Sequence, residues 1–384
     1  MTIKNSIELN KIAIAGNLRG LVNHSPQMRA RAALCNSFIA DALAMPVHWL
    51  YNPFDIYAAF PGGIQQFEAA PRFHPSSIMN LHSTTAGGRG VQQANNGAQV
   101  VGDIILKDKR QYWGIANQHY HRAMRAGDNT LNLHCMRVLM RAMANNNGRY
   151  YAAHFLQDYI QFMTAGIPQH PDTYAESYHR GFFANLAKGL PPEKAAAKTH
   201  DTASVGGLVG IAPLAIAELL FDRSLERVQR LCRMHLFLTH PDDNLAKICD
   251  AYVALIEALL FRTEGDARQF IAATAKQSAA IDVPLLVQKY ADDNQVVGGK
   301  FSRACYIEDS WPSLLYLAWK YCDDPRQALI ANANLGGDNC HRGAVLGVIL
   351  GLASGDGLQD WFVQLQNAAD IHAEVEALLK PVNL

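Results

Sequence analysis

The chain has 384 residues, 49% of them hydrophobic, and its 34 basic side chains balance 34 acidic ones. That apolar share supports a large buried core and excludes a disordered chain. The zero net charge excludes a protein that gathers nucleic acid or an anionic membrane surface by bulk electrostatics.

Apolar side chains recur at helical spacing through most of the chain. A first helix is predicted over 28–50, with Ala32, Ala33, Cys35, Phe38, Ile39, Ala42 and Leu43 on or near its buried face. Residues 51–85, rich in Pro, Gly, His and aromatics, read as a long surface loop of the kind that often carries function. Its Phe60, Phe67, Phe73, His74 and His82 are candidates for a lid or substrate wall. Helices are then predicted over 97–106, 112–125, 150–165, 192–200, 208–221 and 224–239. The pattern continues over 244–262, 264–279, 284–290, 310–321, 325–332, 343–352 and 368–379. Ser224 and Asp309-Ser310-Trp311-Pro312 look like helix starts. Alternating strand-like runs are nearly absent, and no linker or repeat divides the chain. The expectation is one all-α domain spanning residues 1–384.

The C-terminal third holds the most pointed signal. Glycines at 343, 347, 351 and 355 lie near one face of a predicted helix. Glycine weakens a helix interior by about 1 kcal/mol relative to alanine, so this spacing predicts that another backbone comes very close. The loop before that helix, Asn334-Leu335-Gly336-Gly337-Asp338-Asn339-Cys340-His341-Arg342, carries ligand-grade side chains at a helix N-terminus, an end that suits anions.

Three further polar clusters stand out. Asp41 and His48 sit at the end of the first predicted helix, where a buried Asp needs a partner. A Gly-rich loop ending Asn95-Asn96-Gly97 opens a predicted helix, and Thr239-His240-Pro241-Asp242 makes a helix corner. Oxygen side chains suit Mg²⁺ and His or Cys suit zinc, but the spacing matches no local zinc signature, nucleophile elbow, P-loop or HExxH motif. The residues by themselves give polar loops at helix ends and no mechanism.

The order of these clusters resembles that of the ADP-ribosylglycohydrolase family, over roughly residues 28–356. Ala40-Asp41-Ala42-Leu43-Ala44-Met45-Pro46-Val47-His48 resembles that family's opening Gly-Asp-Ala-Leu-Gly-x-Pro-x-Glu. Ala94-Asn95-Asn96-Gly97 stands where the family has Thr-Asp-Asp-Thr. The segment from Ser204 to Leu214 is similar to Asn-Gly-x-x-Met-Arg-x-x-Pro-Leu, and Leu238-Thr239-His240-Pro241-Asp242 to the Thr-His-x-Asp corner. Asn334 to His341 falls on Asn-x-Gly-Gly-Asp-x-Asp-Thr.

The resemblance implies an all-helical fold that hydrolyses the bond between ADP-ribose and a protein side chain, using a pair of Mg²⁺ ions. It implies catalytic roles for Asp338, Asn96 and His48. It places Asp41, Asn95, Gly97, Gly336, Gly337, Asn339 and Arg342 on the substrate, with Arg342 suited to a phosphate. The metal positions fall on Asp338, Asn95, Asn96, Cys340 and His341. Asp338 alone remains of the metal carboxylates, and neutral amides cannot balance paired Mg²⁺ ions. The dinuclear Mg²⁺ centre is therefore expected to be absent or very weak. Zn²⁺ on His48, His240, Cys340, His341 and Asp338 is one replacement, and chemistry without a metal is another. The partner implied is an ADP-ribose-like small molecule or an ADP-ribosylated protein, with no nucleic acid and no membrane. A catalytically silent nucleotide binder and a crystallin-like structural protein are the alternatives.

The seven cysteines are dispersed, with no CxxC pair, as in a protein of reduced thiols. The N-terminus shows no signal-peptide layout, and no apolar run reaches the roughly 18 residues of a membrane span. A cytoplasmic location is expected.

Overall fold

The computed structural model describes residues 24–79, 100–199, 201–221, 224–263 and 265–380. Helix α1 (Pro26–Ala44) starts with its own capping chemistry: Ser25 Oγ accepts the Met28 N–H at 3.2 Å, and Pro26 occupies the first turn. The helical pattern was predicted to run to residue 50, but Pro46 has no N–H to donate. The chain tightens instead into a 3-10 turn over Met45–Val47.

The segment 51–79 is less of a loop than its composition suggests. It holds a short helix, α2 (Pro53–Ala59), and buries Ile56, Ile64, His74 and Met79. Residues 100–130 depart furthest from expectation, because they form no α-helix. Leu106, Asp108, Asn117 and Ala123 adopt left-handed backbone at φ 52°, 70°, 55° and 78°, which a right-handed helix cannot pass through. Two helices that the pattern did not single out follow: α3 (Leu131–Ala144) and, after α4 (Ala152–Thr164), α5 (Ser177–Ala187). The helix predicted over 192–200 reduces to a 3-10 turn, Pro192–Lys194, after which Asn185 Nδ2 donates to Ala195 O at 3.1 Å and fixes the exit of the chain.

The remaining helices lie close to their predicted places, apart from two short ones, over 293–296 and 359–362, that the pattern did not single out. They are α6 (Ile211–Leu220), α7 (Leu225–Phe237), α8 (Asp243–Leu260), α9 (Ala267–Ala279), α10 (Val283–Lys289), α11 (Asp293–Val296), α12 (Ile307–Lys320), α13 (Pro325–Leu335), α14 (Asn339–Ser354), α15 (Gln359–Phe362) and α16 (Ala368–Leu379). Ser224 makes no side-chain cap, and α12 starts before Asp309, leaving Pro312 inside it. The described residues hold isolated bridges but no β-strand. Among them no single helix is long and apolar enough to cross a membrane.

The backbone that the glycines of α14 admit is that of α1. A Cβ on Gly347 would press into Asn36 O, and one on Gly351 into Ala33 N. Side chains could not interleave at that distance, so the two helices pack backbone to backbone and form the centre of the molecule. Helices α6, α8, α12, α13 and α16 surround this pair. One core cluster runs through all of them, and each fully buried Leu or Ile contributes about 1.5–3 kcal/mol. The all-α expectation holds for the described residues. The central pair has a functional consequence: the end of α1 and the start of α14 meet at one point.

Candidate functional site

That meeting point is fixed by backbone bonds. The Trp49 N–H donates to Gly337 O at 2.8 Å, the Gly337 N–H returns to Leu50 O at 2.7 Å, and the Asp338 N–H reaches Arg303 O at 2.9 Å. Gly336 and Gly337 both have positive φ (66° and 68°), and a Cβ on either would collide with the carbonyl of Leu50 or Arg303. The turn thus holds His48 and Asp338 face to face. Asp338 caps α14 by position only, because its carboxylate is engaged elsewhere.

Asp338 Oδ1 accepts from His48 Nε2 at 3.0 Å and from His341 Nδ1 at 2.7 Å. His48 Nδ1 meets His121 Nε2 at 2.7 Å, and His121 Nδ1 meets Asp172 Oδ1 at 2.8 Å. On the other side His341 Nε2 lies 3.2 Å from Glu176 Oε1 and 2.6 Å from the Asn132 amide. The result is one buried chain of contacts between carboxylates and imidazoles: Asp172, His121, His48, Asp338, His341, Glu176.

This chain limits its own protons. The three contacts from Asp172 to Asp338 need one proton each, and two neutral imidazoles supply only two. One of the two histidines is therefore an imidazolium. Burial disfavours the cation at both, but the Asp172 carboxylate overcomes this at His121 and raises it. Burial, with the charge on His121 opposing it further, takes His48 down to about 3 despite Asp338. The charge sits on His121, and Asp172 is held down to about 2 against burial by that cation. Burial also opposes a charged His341, yet Asp338 and Glu176 raise it well above the usual histidine value. A doubly protonated His341 then satisfies Asn132 only if that amide presents its oxygen.

Two more buried histidines support the backbone here. His119 Nε2 bonds to Pro46 O at 3.1 Å and His74 Nε2 to His48 O at 3.0 Å. Trp49 lies over the cluster, its ring stacked on His48 at 3.9 Å, with Tyr120 and Tyr174 edge-on at 4.6 and 5.1 Å. Its φ of 63° is uncommon for a bulky residue, a strain met most often where a site demands it.

The other sequence candidates are distributed as follows. Asp41 is fully buried and accepts from Thr130 Oγ1 at 2.6 Å, Thr130 N at 2.8 Å and Asn129 Nδ2 at 2.9 Å, so it holds the loop entering α3. Arg342 does not point outwards to a phosphate. It is 1% exposed and donates to Asn332 Oδ1, Asn332 O and Gly336 O at 2.8, 3.2 and 2.9 Å. Asn339 Nδ2 donates to Ala333 O at 2.9 Å. Cys340 turns to Asp41 O at 3.6 Å, and burial pushes its thiol well above the usual range. His240 lines a cavity of about 50 Å³ with Tyr178, His179 and His235, which adjoins the cluster through Asn132. Neither Cys340 nor His240 joins His48, Asp338 and His341. Asn95, Asn96 and Gly97 lie outside the described residues, as does His82.

Sequence reasoning missed His121, Asp172, Glu176 and Trp49. No motif contains them. The only trace was the count of 15 histidines.

The described donor set does not fit Mg²⁺. That ion requires a shell of oxygens in near-octahedral order, and here two imidazole nitrogens flank a single carboxylate.

The sequence profile of the ADP-ribosylglycohydrolase family matches residues 23–383. The chain belongs to that family. The match extends past both ends of the 28–356 range expected from the motifs. A solved structure described as an ADP-ribosylglycohydrolase-related protein complex superposes with a TM-score of 0.57, covering 93% of this chain and 98% of that one at 18% identity. At that identity the likeness shows the ADP-ribosylglycohydrolase fold alone. No curated protein matches the chain.

Proposed function

We propose that this ADP-ribosylglycohydrolase family member is a hydrolase that cleaves an N- or O-ribosyl bond of an ADP-ribosylated protein or a related nucleotide. The observation that supports it is the convergence of the family's first and last motif loops on Asp338, with His48 and His341 fixing the carboxylate from two sides. Asp338 is the group that orients a water or a ribose hydroxyl. His48 and His341 are the groups that keep it ionised, since their contacts hold it well below the usual carboxylate value against burial.

No step of this reading passes through Mg²⁺. The test is ADP-ribose release, read by mass spectrometry, from proteins modified on arginine or on hydroxyl side chains. Asp338→Asn should lower that release by about 10²-fold or more in a protein that still folds. Unchanged release in the variant would remove Asp338 from the reaction. One observation favours a second reading, a binder without turnover: the carbonyls of the Gly336–Gly337 turn are bonded by Trp49 and Arg342, and His48 and Asp338 are 0% exposed. Affinity for ADP-ribose with no release from any substrate would select it.

A further inference from the structure

The ring nitrogens of His48 and His341 and the carboxylate of Asp338 lie within 4.8 Å of one another, and all three residues are buried. Such a trio can be a hydrogen-bonded cluster and nothing more. Two features point past that account. Among the described residues Asp338 Oδ2 has no hydrogen-bond partner, although the residue is 0% exposed, while Oδ1 receives two. A buried carboxylate oxygen left unpaired is costly, and a bound cation removes that cost. The second feature is what stands behind each ring. His341 is backed by the Glu176 carboxylate at 3.2 Å. His48 is backed by His121, which is itself backed by Asp172. A carboxylate behind the far nitrogen is the usual support of a metal-bound imidazole, because it fixes the tautomer and strengthens the donor.

We propose that His48, Asp338 and His341 bind a single transition-metal ion of the zinc type, in place of the family's magnesium centre. Two nitrogens and one carboxylate oxygen are the donor chemistry of zinc, and magnesium selects against it. A divalent ion there displaces two protons, one from His341 and one from the His48–His121 pair, so the net charge among Asp338, Glu176 and Asp172 is unchanged, whereas a pair of Mg²⁺ ions would add two more positive charges. Cys340 is excluded as a donor, since its sulfur faces Asp41 O. His121, Asp172 and Glu176 are positioning residues. The inference does not rest on the hydrolytic reading, because a protein that never turns over satisfies it equally.

The test is metal binding. The chelator-treated full chain is titrated with Co²⁺ and followed by its visible absorption, then challenged with Zn²⁺ and with Mg²⁺. The expected result is one equivalent of Co²⁺, a spectrum free of thiolate charge transfer, displacement by Zn²⁺, and no displacement by millimolar Mg²⁺. His341→Ala should abolish tight binding, Glu176→Gln should weaken it about 10- to 100-fold, and Cys340→Ser should leave it unchanged. Absence of a tight equivalent, displacement by Mg²⁺, or full affinity in His341→Ala would overturn the proposal. If the buried variants do not fold, the unaltered protein still decides: Zn²⁺ should raise its melting temperature and Mg²⁺ should not, and equal or absent shifts count against the site.

Discussion

Arg342 shows how one residue's environment can reverse its apparent role. From the sequence, an arginine just inside a helix N-terminus beside a Gly-Gly turn suits a phosphate. In the fold it is 1% exposed and its guanidinium is shared among Asn332 Oδ1, Asn332 O and Gly336 O. Burial, only partly offset by Asp338, lowers it to about 10, so it remains charged at neutral pH. Its work is to hold the turn that places Asp338 opposite His48. Arg342→Met keeps much of the apolar stem but leaves three acceptors without a donor. Each unsatisfied buried acceptor costs about 1–3 kcal/mol, so a loss of roughly 3 kcal/mol or more is expected in urea unfolding. A loss under about 1 kcal/mol would mean that the backbone bonds of Trp49 and Gly337 hold the turn without it. The sequence could not distinguish the two roles, because both need an arginine near a helix start. The difference lies in where the Asn332 amide and the Gly336 carbonyl end up.

At the scale of elements, the glycine face of α14 was legible because its reason is local and repetitive. The gaps at 347 and 351 are filled by the backbone of α1, with no room for a methyl group. Gly351→Ala improves helix propensity by about 1 kcal/mol, yet it drives a Cβ into Ala33 N. Overpacking against backbone should win, for a net loss of about 1–3 kcal/mol or failure to fold. Gly166→Ala is the control, since nothing among the described residues lies within 4 Å of the added carbon there. A Gly351→Ala protein as stable as Gly166→Ala in thermal unfolding would show that α1 can move away. The region 100–130 was misread for the opposite reason. Its residues have helix-compatible composition, but His119 and His121 are committed to Pro46 O, His48 and Asp172, all distant in the chain. Tertiary bonds override propensity there and impose left-handed turns at Asn117 and Ala123. The candidate site follows the same division. Its motif residues Asp338, His48 and His341 could be named in advance, whereas His121, Asp172 and Glu176 become visible only when separate segments meet.

For the whole molecule the histidines matter together. Outside the three-residue cluster, His74, His119, His134, His170, His179, His235 and His240 are all buried. Burial is the first cause of a lowered value at each of them, to about 4 at His74, His170 and His240, about 3 at His134 and His235, and well below the usual value at His119 and His179. In the unfolded chain each returns to about 6.5. Between roughly pH 6.5 and 4 the unfolded state therefore binds more protons than the folded one, and stability falls as pH falls. His121 and His341 have the opposite sign: their contribution is complete below about 6.5 and is lost as pH rises through their raised folded values. Asp172, down at about 2, adds its loss only below the usual carboxylate range. Stability should then peak near neutrality and drop steeply on the acid side well before the carboxylates titrate. A single such histidine contributes up to about 1.4 kcal/mol per pH unit, so even two of them remove a sizeable part of a typical 5–15 kcal/mol within two units. Calorimetric melting between pH 7.5 and 4.5, repeated in buffers of different ionisation heat, should show a falling melting temperature and an uptake of several protons on unfolding near pH 5. A melting temperature that stays level from pH 7 to 5 would mean that the buried histidines are already protonated in the fold, through water or partners beyond the described residues.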